Sequence, residues 1–153
     1  MSETQLMLDR KLMQRALEIS KQAPLSKDRY SVGALLTDSK GGEVATGYTS
    51  ELRSGQHAEE CALEKVAARQ AILTAGTIYT TIEPCSLRLS GQTPCVRRIL
   101  AAGLARVVMA LPEPASFVHC EGRAFLAAAG IEVVELPEFA AAVLDLNQHL
   151  LKK

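Results

Sequence analysis

No excess of either charge marks this chain: 17 Lys and Arg offset 17 Asp and Glu across 153 residues. That balance argues against non-specific binding to nucleic acid or to anionic membranes, which usually shows as a basic excess. Long apolar runs are missing too, and none approaches the ~20 residues needed to span a bilayer. The opening Met1-Ser2-Glu3-Thr4 is polar and acidic, unlike a signal peptide or an arginine-rich transit peptide. The expectation is therefore a cytoplasmic protein with neither a membrane nor a nucleic-acid partner. Internal repeats, low-complexity tracts and charge blocks are also lacking, so residues 1–153 are expected to form one domain. What is present is a 48% hydrophobic share, which suits a globular chain able to bury its own core. Four cysteines remain, and in such a chain they suggest metal binding or catalysis more than a disulfide framework.

Periodicity divides the chain into alternating elements. From Thr4 to about Gln22, Leu6, Met13, Ala16, Leu17 and Ser20 recur at helical spacing, widened by Leu12 and Ile19, and Pro24 stops the helix. Val32 to Thr37 reads as a buried strand, Asp38 to Gly42 as a turn, and Glu43 to Tyr48 as the returning strand of a hairpin. Helices then follow from His57 to about Ala71, Pro94 to Ala102, Gly122 to Ala129 and about Pro137 to Leu150. The strands between them are Thr77–Ile82, Arg106–Ala110 and Ile131–Leu136. For the helix after Cys85, Thr93 is the expected N-cap, Pro94 the first helical residue and Gly103 the residue just past the end. Strand–helix–strand alternation needs crossover connections, hence parallel strands with helices on both faces. The expected architecture is a three-layer α/β/α sandwich around a five-stranded mixed sheet, one hairpin joined to parallel strands.

The residues with chemistry sit where these elements begin. His57-Ala58-Glu59 opens the second helix, Glu83-Pro84-Cys85 leaves the third strand, and Thr93-Pro94-Cys95 opens the next helix. Zinc takes imidazole and thiolate, and a catalytic zinc keeps three protein ligands and an open position. His57, Cys85 and Cys95 supply one nitrogen and two sulfur anions, at or next to helix N-termini where the helix dipole favours thiolate. Glu59, one turn-step from His57, is placed to exchange protons as a general base and acid. A lone His-x-Glu is ordinarily a solvated helix start, and a lone Pro-Cys a buried small residue. The ordered set of His-x-Glu, Pro-Cys and a second Cys on a helix start outweighs both, and outweighs a redox disulfide between Cys85 and Cys95.

That set resembles the zinc-dependent cytidine/deoxycytidylate deaminase superfamily, whose signature is His-x-Glu followed by Pro-Cys and a second Cys. Most members separate the cysteines by two residues. The nine here, Ser86 to Pro94, are more like the riboflavin-pathway pyrimidine deaminases, whose loop is longer. The likeness continues through Val32-Gly33, Ala102-Gly103-Leu104, Glu113-Pro114, Glu121-Gly122 and Ala129-Gly130-Ile131. It implies a cytidine deaminase-like fold, bound Zn2+, and hydrolytic removal of an exocyclic amino group from a nucleobase, nucleoside or nucleotide with release of ammonia. Glu59 would then carry the proton between water, ring nitrogen and leaving amine. The departures fall on substrate-facing parts. Asp28-Arg29-Tyr30-Ser31 stands where a Pro-Asn-Pro is usual, Leu87 to Thr93 lacks the usual His and Arg, and Thr49-Ser50 replaces a usual His.

Weaker candidates follow. Tyr30 and Ser31 are candidates to face the base, with an ordinary strand start as the alternative. Arg88, with Arg53 and Lys27, could meet a phosphate, although the chain has no Gly-rich phosphate loop. His119 and Cys120 follow the fourth strand near the carboxyl ends of the parallel strands, where ligands of open α/β sheets bind, so a substrate-wall role competes with a solvated His and a buried Cys. Cys61 is expected as a small core residue or a neighbour of the metal ligands. Cytidine, deoxycytidylate or guanine deamination, and a domain that uses zinc only to hold its fold, are the competing functions. A tRNA-editing role is disfavoured by the cysteine spacing and the charge balance. A dimer or tetramer is expected, with Phe139, Val143, Leu146 and Leu150 either forming the contact or covering their own sheet.

Overall fold

The computed structural model describes residues 2–69, 73–114 and 121–151. Helix α1 (Glu3–Ser20) starts on Ser2, whose hydroxyl accepts the Gln5 backbone N–H at 3.1 Å. Strands β1 (Gly33–Thr37) and β2 (Glu43–Tyr48) form the hairpin. Helix α2 (Ala58–Arg69), β3 (Thr77–Ile82), α3 (Cys95–Ala101), β4 (Arg106–Leu111), α4 (Gly122–Ala128) and β5 (Glu132–Glu135) alternate as expected. The sheet order is β2-β1-β3-β4-β5. β1 pairs antiparallel with both β2 and β3, while β3–β4 and β4–β5 are parallel. The mixed sheet of the sequence reading is therefore the observed one.

Strand alternation sends Leu35, Tyr79 and Val108 to one face, against Leu12, Met13, Ala16 and Leu17 of α1. Leu36, Ile78 and Val107 point to the other, against Ala62 and Val66 of α2, Val96 and Ile99 of α3 and Leu126 of α4. Both faces are covered, which is why β1 and β3 are buried at every position. Gly33 lets α1 lie directly on the sheet: a Cβ there would stand 2.1 Å from the Ala16 carbonyl oxygen. Among the described residues no helix is long and apolar enough to cross a membrane.

Four expectations need correction. Pro94 is the cap rather than the first residue of α3: its backbone is extended (φ −62, ψ 150), and its carbonyl accepts the Arg97 N–H at 3.1 Å. Thr93 supplies no cap, because the first N–H of α3, that of Cys95, is spent on the Cys85 sulfur at 3.2 Å. The last helix is not continuous. It consists of a 3-10 turn (Pro137–Phe139), α5 (Ala140–Leu146) and α6 (Gln148–Leu151), broken at Asn147. Asn147 is 1% exposed and its amide reaches outside the helix, accepting the Ser31 N–H at 2.7 Å and donating to the Ser31 carbonyl at 3.3 Å. The helix from His57 begins one residue later, with His57 as its cap, and is described to Arg69. Val143 and Leu150 are buried and Phe139 packs beside them, so this segment covers its own sheet.

Candidate active site

Three elements converge at the carboxyl end of β3, where ligands of open α/β sheets are held. α2 brings His57, the turn after β3 brings Cys85, and α3 opens on Cys95. His57 Nδ1 lies 3.5 Å from Cys85 Sγ and 3.5 Å from Cys95 Sγ. Among the described residues, this is the trio whose ligand atoms all lie within 4.8 Å of one another. A tetrahedral zinc, about 2.05 Å from nitrogen and about 2.3 Å from sulfur, requires a nitrogen–sulfur separation of about 3.5 Å. The donor set and its spacing therefore fit zinc, and Nδ1 is the imidazole atom that would bind it.

Local structure fixes each ligand. A Cβ on Gly122 would meet the Pro84 carbonyl oxygen at 2.0 Å, so α4 can close on the Pro84-Cys85 turn only at glycine. Glu83, buried at the end of β3, accepts the Glu113 N–H at 3.0 Å and the Arg123 N–H at 2.8 Å, binding the β4–α4 connection and the start of α4 to the metal turn. The N–H of Cys95 points at Cys85 Sγ, as a helix N-terminus points at an anion.

Electrostatics separate the two thiols. The Cys95 thiol hydrogen bond, against burial and with help from His57, brings Cys85 down to about 4, within thiolate range. Cys95, the donor in that bond and fully enclosed, is pushed up. Burial opposes charge on His57, but the Cys85 hydrogen bond and the charges of Glu59 and Cys85 outweigh it and raise its pKa. Glu59 is 4% exposed, and burial lifts it to about 7; His57 pulls it down, while Cys85 and Glu113 push it up. A carboxyl that titrates near neutrality is suited to take and return a proton in one turnover.

A cavity of about 540 Å3 opens on this cluster and is lined by His57, Glu59 and Cys85 together with Tyr30, Val32, Thr49, Arg88 and Glu113. Tyr30 stands in this wall. Ser31 does not: it is buried behind the wall with its backbone tied to Asn147. Arg88 lines the cavity, but its guanidinium is held by Glu60 at 2.9 Å with both side chains buried. Arg53 is held by Glu64 at 2.6 Å, and Lys27 is exposed and outside the cavity wall. His119 and Cys120 lie outside the described residues. Cys61 is fully buried beside Glu51 and Lys65, and burial with Glu51 pushes its thiol up to about 11, so it is an inert core residue. Sequence reasoning did not assign Glu60, Glu83, Glu113 or Asn147. The available signal was a carboxylate directly before Pro84-Cys85, and an Asn four residues after Val143 on an apolar stripe.

Residues 7–111 match the family profile described as the cytidine and deoxycytidylate deaminase zinc-binding region. The diaminohydroxyphosphoribosylamino-pyrimidine deaminase of Schizosaccharomyces pombe is 38% identical over 125 residues, covering 80% of this chain and 31% of that protein. The riboflavin biosynthesis protein RibD of Escherichia coli is 37% identical over 151 residues, covering 96% of this chain and 38% of its own length. The chain thus spans about a third of the length of these relatives. Among solved structures, the Aspergillus oryzae Rib2 deaminase in complex with DARIPP superposes with a TM-score of 0.82 at 28% identity, covering 94% of this chain and 91% of that one.

Proposed function

The chain belongs to the cytidine and deoxycytidylate deaminase zinc-binding family, and from that premise we propose that it removes an exocyclic amino group from a pyrimidine-type ring by hydrolysis, releasing ammonia. The observation that carries the reading is a zinc-fitting His57/Cys85/Cys95 trio, two of whose members, His57 and Cys85, line one cavity with the buried carboxyl of Glu59. A zinc-stabilised scaffold needs no proton carrier and closes its site with a fourth Cys or His. The relatives named above make a riboflavin-pathway aminopyrimidine the substrate class to favour.

Zinc held by these three residues supplies a Lewis acid that makes water nucleophilic near neutral pH. Glu59 takes the water proton on its carboxylate and passes it to the ring nitrogen beside the amino-bearing carbon. A C–O bond forms at that carbon, and Glu59 then takes the proton of the new hydroxyl and delivers it to the amine, so that the C–N bond breaks, ammonia leaves and a carbonyl remains. Burial keeps bulk water from competing for either proton. Tyr30, Val32, Thr49 and Glu113 shape the wall against which the ring is oriented.

The reading extends to residues 1–153 as one deaminase domain, cytoplasmic, self-associating as a dimer or tetramer, and acting on small free substrates. Ammonia release from zinc-loaded protein against diaminohydroxyphosphoribosylaminopyrimidine, deoxycytidylate, cytidine, cytosine and guanine tests it. Preference for the first is the expected result. Turnover of deoxycytidylate or guanine instead overturns the substrate class, and inertness to the whole panel by folded, zinc-loaded protein overturns the enzyme.

A further inference from the structure

Glu60 follows the proposed proton carrier, lies in the first turn of α2 and is 6% exposed. A buried carboxylate is costly unless it is paired and hydrogen-bonded. Its hydrogen-bond and shorter ion-pair partners come from all three metal-bearing segments, and Arg53 adds a longer contact at 3.7 Å. One oxygen accepts the backbone N–H of His57 at 3.4 Å, the return bond of a capping box in which His57 is the cap. The same oxygen accepts Arg88 at 2.9 Å, from the loop between the two cysteines. The other faces Arg98 at 3.4 Å, three residues after Cys95 on α3. Two guanidinium groups, those of Arg88 and Arg98, face this one buried carboxyl and offset the charge its burial would otherwise leave unpaired.

We infer that Glu60 is the positioning residue of the metal site, a single buried carboxylate tying together the three segments that carry His57, Cys85 and Cys95. It touches none of the reacting atoms. It fixes the backbone from which His57 projects, straps the Cys85–Cys95 loop down through Arg88, and fastens the start of α3 through Arg98. Arg88 is accordingly a strap for the loop and not a substrate ligand, which is why its guanidinium is buried against Glu60 and the Gly55 carbonyl.

The inference rests on the zinc reading of the site, and the test separates the two. Zinc affinity is measured on the full chain, well below its melting temperature, by competition with a chromophoric chelator for the parent, Glu60→Gln, Arg88→Met and the double variant. Each single change is expected to weaken zinc binding about 10- to 100-fold, the range for groups that orient metal ligands. The double variant should be no worse than the poorer single one, because both cut the same strap. If Glu60→Gln does not fold, Arg88→Met alone decides by the same threshold. Variants that lose melting temperature but bind zinc within twofold of the parent overturn the inference and leave the zinc site standing. A parent that binds no zinc overturns both.

Discussion

Asn147 is the residue at which the fold departs most from its sequence pattern, and replacing it with alanine measures why. Its side chain satisfies the Ser31 N–H and the Ser31 carbonyl, and also donates to the Val143 carbonyl at 2.9 Å. Val143 keeps the Asn147 backbone N–H as a partner in the variant, so two buried backbone groups, both of Ser31, are orphaned. At about 1–3 kcal/mol for each unsatisfied buried group, the loss is about 2–6 kcal/mol. A chain of this size shifts by about 2–4 °C per kcal/mol, so the melting temperature should drop by at least about 4 °C. Asn147→Asp discriminates further. It keeps an acceptor for the Ser31 N–H but, when ionised, sets a carboxylate oxygen against two carbonyl oxygens, so its deficit should shrink on acidification. Since Ser31 adjoins Tyr30 in the cavity wall, KM should rise more than kcat falls. Calorimetry and steady-state kinetics read both effects. An alanine variant melting within 1 °C of the parent would refute the reasoning, by showing that the clamp contributes nothing water cannot replace.

Glu59→Gln should retain zinc and fold yet lose about 10²–10⁴-fold in kcat, the usual worth of a general acid–base; turnover at the parent rate would remove Glu59 from the reaction. Gly122→Ala forces α4 away from Pro84, because the contact it would make is with backbone, 2.0 Å away. Overpacking of this kind costs about 1–3 kcal/mol or more, and zinc retention under chelator should fall with it. Full retention at parental stability would contradict that packing. Asp9 gives a pH dependence: burial raises its pKa, but hydrogen bonds from Arg106, Tyr79 and Gln5 together hold it below the ordinary 3.8. The unfolded chain therefore binds the proton more readily, so this stabilisation is present above about pH 4 and is lost as pH falls through the folded value. Denaturant titrations at pH 3, 4 and 6 should show the parent losing more stability on acidification than Asp9→Asn, and equal slopes would refute it.

Local pattern revealed what local physics decides. Thr77 to Ile82 and Arg106 to Leu111 are runs of apolar and β-branched residues because both faces of those strands are covered, and His57, Cys85 and Cys95 stood out because zinc chemistry demands those atoms at element starts. What stayed hidden depends on partners far away in the chain. Asn147 meets a residue 116 positions earlier, and Arg88 meets Glu60 28 positions earlier. Neither pairing leaves a periodicity, so a helical stripe read straight through Asn147 and a cavity arginine read as a ligand. Thr93 read as a cap because its composition fits one, while the sulfur of Cys85 had already claimed the N–H.

The same distinction separates the proposed chemistry from selectivity. The trio and Glu59 project from helix starts and a strand end whose backbones are fixed by Gly122, Glu83 and the α2 cap. The wall from Leu87 to Gln92 belongs to a loop in which Leu87 and Leu89 are 56% and 79% exposed, anchored across the site by the Arg88–Glu60 pair. A loop held through one buried pair can exchange its other side chains at little cost to the metal site. On the proposed chemistry, departures from the family pattern between the two cysteines are expected to change which ring is accepted before they change how its amino group is removed.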